Sequence, residues 1–309
     1  MLGIRIREKV KIKYMQIIDR VLVGENLMGM NGAEHLQQIV ASKFEGAKVL
    51  AVTSGKGGVG KTNIAANLSI CLAVSNKKVI VLDADLGLGN LDVLMNINAR
   101  YNVWHMMRGH KSLEEIICTG PCGVEVICGG SGFDELANLS PFERERLITE
   151  LEGLQRDRDV IVIDTGAGMN VSVLGFCQAA DHTLVVTTPE PTAMTDAYAM
   201  IKVLSRRGYQ GRISVAVNMA GSIAEGKKVY RHIADVARRF LDVAVYEAGV
   251  ICKDEILSAA VRKREPVVLG HPRSAITSSI VAMSARLWEG STVSSRSESF
   301  FQKVANWFF

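Results

Sequence analysis

The stretch that most constrains this chain is Gly55-Lys56-Gly57-Gly58-Val59-Gly60-Lys61-Thr62. A β-rich apolar run, Val49 to Thr53, leads into it, and a helical pattern from Ile64 to Leu72 follows. Strand, glycine loop and helix in that order are the setting a phosphate-binding loop requires. The glycines let backbone N–H groups turn inward around phosphate oxygens, and the helix N-terminus adds the positive end of its dipole. On this reading Gly55 through Thr62, with Asn63, cradle a nucleotide. Lys61 reaches the β- and γ-phosphates, and Thr62 offers its hydroxyl to Mg2+.

Two further strand ends carry acids. Val79-Ile80-Val81-Leu82 runs into Asp83-Ala84-Asp85. Residues two apart on a strand share a face, so both carboxylates can point at one polyphosphate site. Mg2+ takes a few oxygen ligands and keeps waters, and hydrolysis needs a group that orients the attacking water. Asp83 is assigned to the metal and Asp85 to the water. Val160-Ile161-Val162-Ile163 ends at Asp164, where a carboxylate holds Mg2+ through water. Gly166 and Gly168 beyond it form a segment able to swing toward a terminal phosphate. Asn218 closes another buried strand; its amide can read a purine edge, or serve as a turn residue. Thr187 to Thr192 reads as a strand-to-helix junction with Thr192 as a helix cap. The six histidines lie far apart in sequence and suggest no catalytic grouping.

From Lys48 onward strands and helices alternate. Strands are expected at 48–53, 78–83, 124–128, 159–164, 182–188, 212–218 and 243–247. Helices are expected at 61–75, 142–154, 169–179, 192–206, 225–240, 253–263 and 274–288. The strands near 80, 161 and 185 are continuous apolar runs, which fits burial on both faces. The fold class is therefore α/β: a mostly parallel sheet with helices on both faces. Ligands in such sheets bind at the carboxyl ends of the strands, where these motifs fall. Residues 1–46 are set apart as a leader, 47–290 as the nucleotide-binding domain, and 291–309 as linker and C-terminal helix.

Composition adds limits. At +4 the net charge over 309 residues is mild; it permits an anionic membrane surface and does not suggest direct nucleic-acid binding. No apolar run approaches the roughly 18 residues a membrane span needs. Six scattered cysteines form no paired metal motif, and a reducing, cytoplasmic setting is expected.

The tail after the serine-rich stretch 291–299 is of another character. Phe300, Phe301, Val304, Trp307 and Phe308 fall on one helical face, with Gln302, Lys303 and Asn306 opposite. That face has two fates: packing on the main domain, or lying in a membrane interface. The membrane fate is the one expected here. A pair of such tails on a dimer gains by effective concentration.

Lys56 lies inside the glycine loop, where one nucleotide does not need it, and resembles the signature lysine of deviant Walker A ATPases such as MinD and ParA. Asp83 to Val93, Asp164 to Gly168, Glu190 to Lys202 and His271 to Ser274 resemble the FlhG (FleN/YlxH) family of flagellar-number regulators. The resemblance covers about residues 30 to 309. It implies slow ATP hydrolysis with Mg2+, with Lys56, Lys61 and Asp85 as catalytic residues and Lys56 reaching the partner's nucleotide in an ATP-dependent homodimer. It also implies reversible attachment to inner-membrane lipid. The partners it implies are an FlhF-type GTPase, flagellar C-ring proteins and a flagellar transcription regulator. Asn31 to Gln37 departs from the family's N-terminal GTPase-stimulating motif: Gln37 stands at its arginine, and an amide does not reproduce that forked cation. The rival readings are a DNA-partitioning ParA-type ATPase and a metal-cluster carrier of the same superfamily.

Overall fold

The computed structural model describes residues 46–85, 89–129, 141–290, 300, 301, 303 and 304. At its centre is an eight-stranded sheet. Its strands are β1 (Lys48–Ser54), β2 (Val79–Ala84), β3 (Ile117–Thr119), β4 (Glu125–Ile127), β5 (Val160–Ala167), β6 (His182–Thr187), β7 (Arg212–Ala220) and β8 (Val245–Cys252). Their spatial order is β3-β4-β2-β5-β1-β6-β7-β8. Every pairing is parallel except the β3/β4 hairpin at one edge.

The continuous apolar runs divide by alternation. Val49 and Ala51 of β1, Ile80 and Leu82 of β2, and Ile161 and Ile163 of β5 enter one core. Leu50 and Val52, Val79 and Val81, and Val160 and Val162 enter the other. Successive side chains on a strand point to opposite faces, so a strand covered on both sides must be apolar throughout.

Helices α1 (Lys61–Val74), α2 (Leu91–Met95), α3 (Val103–Met107), α4 (Leu113–Ile116), α5 (Pro141–Asp157), α6 (Val171–Ala179), α7 (Pro191–Arg206), α8 (Ile223–Leu241), α9 (Glu255–Arg262), α10 (Val267–Gly270) and α11 (Ala275–Gly290), with a 3-10 turn at Pro121–Gly123, complete the described chain. Helices α5 to α8 cover the first core, and α1 with α11 covers the second. The α6 start is set by Asn170, whose side chain accepts the Val173 N–H at 2.8 Å; Ser222 caps α8 in the same way through Glu225.

The main strands and helices lie close to where the sequence places them. Strand β8 is the largest shift, running Val245–Cys252 instead of 243–247. Strand β3 and the short helices α2, α3, α4 and α10 were not anticipated, because segments of three to five residues carry too little periodicity to read.

In this structure the tail takes the first of its two fates, packing on the main domain. Phe300, Phe301 and Val304 do not form an exposed membrane face. They are 0%, 4% and 8% exposed and belong to the first core. The Phe300 N–H donates to Gln155 Oε1 of α5 at 3.2 Å. Burying one phenylalanine stabilises by about 1.5–3 kcal/mol, so an apolar face with a hydrophobic surface within reach docks when no lipid is present. Trp307 and Phe308, the leader 1–45 and the linker 291–299 lie outside the described residues. Among the described residues no helix is long and apolar enough to cross a membrane.

Candidate functional site

The loop after β1 turns into α1 at Gly60, whose φ is +92°. That left-handed conformation suits glycine, and a β-carbon there would stand 2.4 Å from Asn218 Nδ2. Asn218 is 1% exposed and donates from Nδ2 to the Val59 carbonyl at 2.8 Å. It ties the end of β7 to the loop and leaves its Oδ1 buried with no partner. The side chain assigned to a purine edge thus already clamps the phosphate loop, with its acceptor unspent. Within the loop Val59 and Lys61 are buried, Gly57 and Gly58 are exposed, and Gly55, Lys56, Gly60, Thr62 and Asn63 lie between.

The carboxylates converge as the strand ends require. Asp83 of β2 and Asp164 of β5 are register partners on adjacent parallel strands, and Val52 of β1 flanks Asp164 on its other side. Asp83 accepts the backbone N–H of Asp85 at 3.1 Å and of Leu91 at 3.4 Å. Burial pushes its pKa up to about 6, against those two N–H groups. Asp164 is wholly buried, and burial and the neighbouring Asp83 carboxylate raise it to about 7. The Thr62 hydroxyl and the Lys61 ammonium oppose that rise. Its Oδ1 has no hydrogen-bond partner.

An orphaned carboxylate oxygen beside a second buried carboxylate is a deficit that a divalent cation removes. Among the described residues no three Asp, Glu, His or Cys side chains converge as a metal cage. Two carboxylates and a hydroxyl suit Mg2+, which keeps waters and takes phosphate oxygens. Asp85 is half-buried at the end of β2; a β-carbon on Gly166 would come 3.4 Å from its carboxylate. The segment after β5 is held to the phosphate loop, with the Gly168 N–H on the Ser54 carbonyl at 2.9 Å.

Lys61 and Lys56 are placed differently. Lys61 is 7% exposed, at the head of α1. The Lys56 side chain is 42% exposed and turns away to Glu190, 2.8 Å from its Oε2, and to the Thr192 hydroxyl at 3.1 Å. This corrects one expectation: Thr192 does not cap α7. Glu190 holds the cap position, and Pro191 begins the helix. The Glu190–Thr192 hold on Lys56 was missed. The junction was visible in sequence, but its closeness to the loop comes only from β1 and β6 pairing side by side.

None of the six cysteines forms a disulfide. Cys71 and Cys177 are core residues, as expected.

Comparison with known proteins agrees with this geometry. Residues 47–211 match the model of a family described as an AAA domain. The chain is 42% identical over 227 residues to the antiactivator FleN of Pseudomonas aeruginosa, covering 74% of this chain and 81% of that protein. It is 39% identical over 219 residues to the flagellum site-determining protein YlxH of Helicobacter pylori, covering 71% and 74%. Among solved structures, the cell division ATPase MinD of Pyrococcus furiosus superposes with a TM-score of 0.65 at 22% identity, covering 79% of this chain and all of that one. MinD of Pyrococcus horikoshii, solved with Mg-ADP, superposes with a TM-score of 0.62 at 23% identity, covering 78% and 96%. A glycine loop carrying two lysines, two buried carboxylates on neighbouring strands and this likeness across most of the chain place the protein in the FleN/YlxH family of MinD-like ATPases that regulate flagella.

Proposed function

We propose that the chain is a slow ATPase switch that dimerises around ATP and attaches reversibly to the inner face of the cell membrane, so controlling flagellar number and placement. Gly55 to Asn63 bind the triphosphate, Lys61 neutralises its β- and γ-oxygens, and Asn218 Oδ1 accepts from the base. Thr62, Asp83 and Asp164 would hold Mg2+, which when bound neutralises phosphate oxygens. Asp85 accepts a hydrogen bond from the attacking water and orients it.

The observation that carries the dimer is Lys56. Its own loop has a buried lysine in Lys61, and the second ammonium rests on the rim, on Glu190. An exposed ion pair of that kind is worth about 0–1 kcal/mol, so the triphosphate of a second copy can take Lys56 over. On dimerisation the tails leave their docked position, and Phe300, Phe301, Val304, Trp307 and Phe308 enter lipid. The family's FlhF-type GTPase, C-ring proteins and flagellar transcription regulator are the partners such a switch would control.

Light scattering tests the core of this. The protein should have the mass of one chain with ADP and of two with a non-hydrolysable ATP analogue. Lys56→Ala should keep nucleotide binding and lose the second copy. A monomer under every nucleotide refutes the switch.

A further inference from the structure

Helix α8 presents a face that the switch described above does not use. Gly226, Val229, Ile233 and Ala237 are buried against the sheet. Outward stand Lys227, Lys228, Arg231, Arg238 and Arg239, all exposed. Their spacing places them along one side of the helix. Arg238 is paired with Asp235 at 3.1 Å. Lys227, Lys228 and Arg231 have no ion pair among the described residues. A stripe of unneutralised cations repels itself and is paired most cheaply by an anionic surface.

The lower end of the stripe is also apolar. Phe240 is 66% exposed, with the Arg239 guanidinium 5.5 Å from its ring. After a short loop Tyr246 at the start of β8 is 41% exposed, and Arg212 stacks on it at 3.6 Å. The same Arg212 donates to the Gly290 carbonyl at 3.1 Å. Gly290 ends α11, so the last described residue before the tail sits at this corner. The docked tail lies at the same end of the sheet: Phe300 is bonded to Gln155 in the last turn of α5, which leads into β5 as α8 leads into β8.

We propose that this corner, Arg238, Arg239, Phe240 and Tyr246 with the stripe of Lys227, Lys228 and Arg231 above it, is a second membrane contact that lies against anionic lipid headgroups. The proposal rests on the membrane-attached reading above. The cations alone would suit any polyanion. A lone exposed phenyl ring stacks only on an unpaired base and finds none on a duplex, whereas it gains by entering the boundary between headgroups and acyl chains. Gly290, the last described residue before the tail, is tied to this corner through Arg212, which favours the tail and the corner meeting one surface. The tail then supplies attachment, and the α8 face supplies preference for negative lipid and sets which side of the body meets the bilayer.

The test uses the full chain with a non-hydrolysable ATP analogue and two kinds of vesicle, phosphatidylcholine alone and phosphatidylcholine mixed with phosphatidylglycerol. One basic residue near an anionic bilayer contributes roughly fivefold in binding. The triple variant Lys228→Gln, Arg231→Gln, Arg239→Gln should bind the anionic vesicles on the order of a hundredfold more weakly than the unaltered chain. On neutral vesicles the two should match. Phe240→Ser should lower binding to both kinds by about tenfold. All four side chains are exposed, so melting temperatures should barely change. If the unaltered chain binds neither vesicle, membrane attachment itself falls and this contact with it. If it binds both equally, or the triple variant keeps the anionic preference, only the α8 contact falls. Retention of duplex DNA that the triple variant loses, with no lipid preference, would reassign the face to nucleic acid.

Discussion

His182 illustrates how one side chain ties the sheet to solution conditions. It is 1% exposed in β6, with Nε2 2.8 Å from the Ser214 hydroxyl. Burial, then the charges of Arg212 and Lys48, lowers its pKa to about 3. The unfolded chain would titrate near 6.5, so the stability this neutral ring contributes is present above that pH and is lost as pH falls toward 3. Between about pH 7.5 and about pH 5 the loss is roughly 2 kcal/mol. Asp83 and Asp164 act in the opposite sense, because their raised pKa values relieve the fold as acid is added. The difference between His182→Asn and the parent isolates the histidine: thermal melts should show the variant losing less stability on acidification. At the site, Asp85→Ala should slow phosphate release by tenfold or more, on the order of a general catalytic group's contribution. ATP-bound dimers should persist, and their disappearance by light scattering would deny Asp85 its role.

At the level of elements, the packing of α8 on β8 sets both the edge of the sheet and the cationic face. Gly226 makes it possible: a β-carbon there would lie 2.3 Å from Val250 Cγ1 and 2.7 Å from Cγ2. Alanine favours a helix over glycine by about 1 kcal/mol, but forcing a methyl into a filled core costs about 1–3 kcal/mol. The contact is to a β-branched side chain that has few other rotamers, so the clash wins. Gly226→Ala should lower the melting temperature, and a rise would show that α8 can lift off β8 freely. The same reasoning explains what could be read from the sequence of this helix. Its apolar period is local and legible; the Ser222 cap is local too but went unread, the helix being expected from 225 and beginning at Ile223; which glycine meets which valine is not local at all.

At the scale of the whole molecule, the docked tail and the nucleotide site are separate features. Phe300 and Phe301 are buried in the core under α5 to α8, away from the strand ends that carry Asp83, Asp85 and Asp164. A chain lacking residues 298–309 should therefore bind ATP as before and fail to pellet with vesicles; retained pelleting would remove the tail's membrane role. The sequence by itself determined the alternation of strands and helices, the phosphate loop and the two acidic strand ends, because glycine spacing, apolar runs and strand-terminal carboxylates are written within a few residues. Only the tertiary structure decided that Asp83 and Asp164 are register partners, that Asn218 clamps the Val59 carbonyl, that Lys56 rests on Glu190, and that Phe300, Phe301 and Val304 lie indoors. Each of those depends on strand order or on packing between segments tens to hundreds of residues apart, and no local pattern encodes which distant surface a side chain will meet.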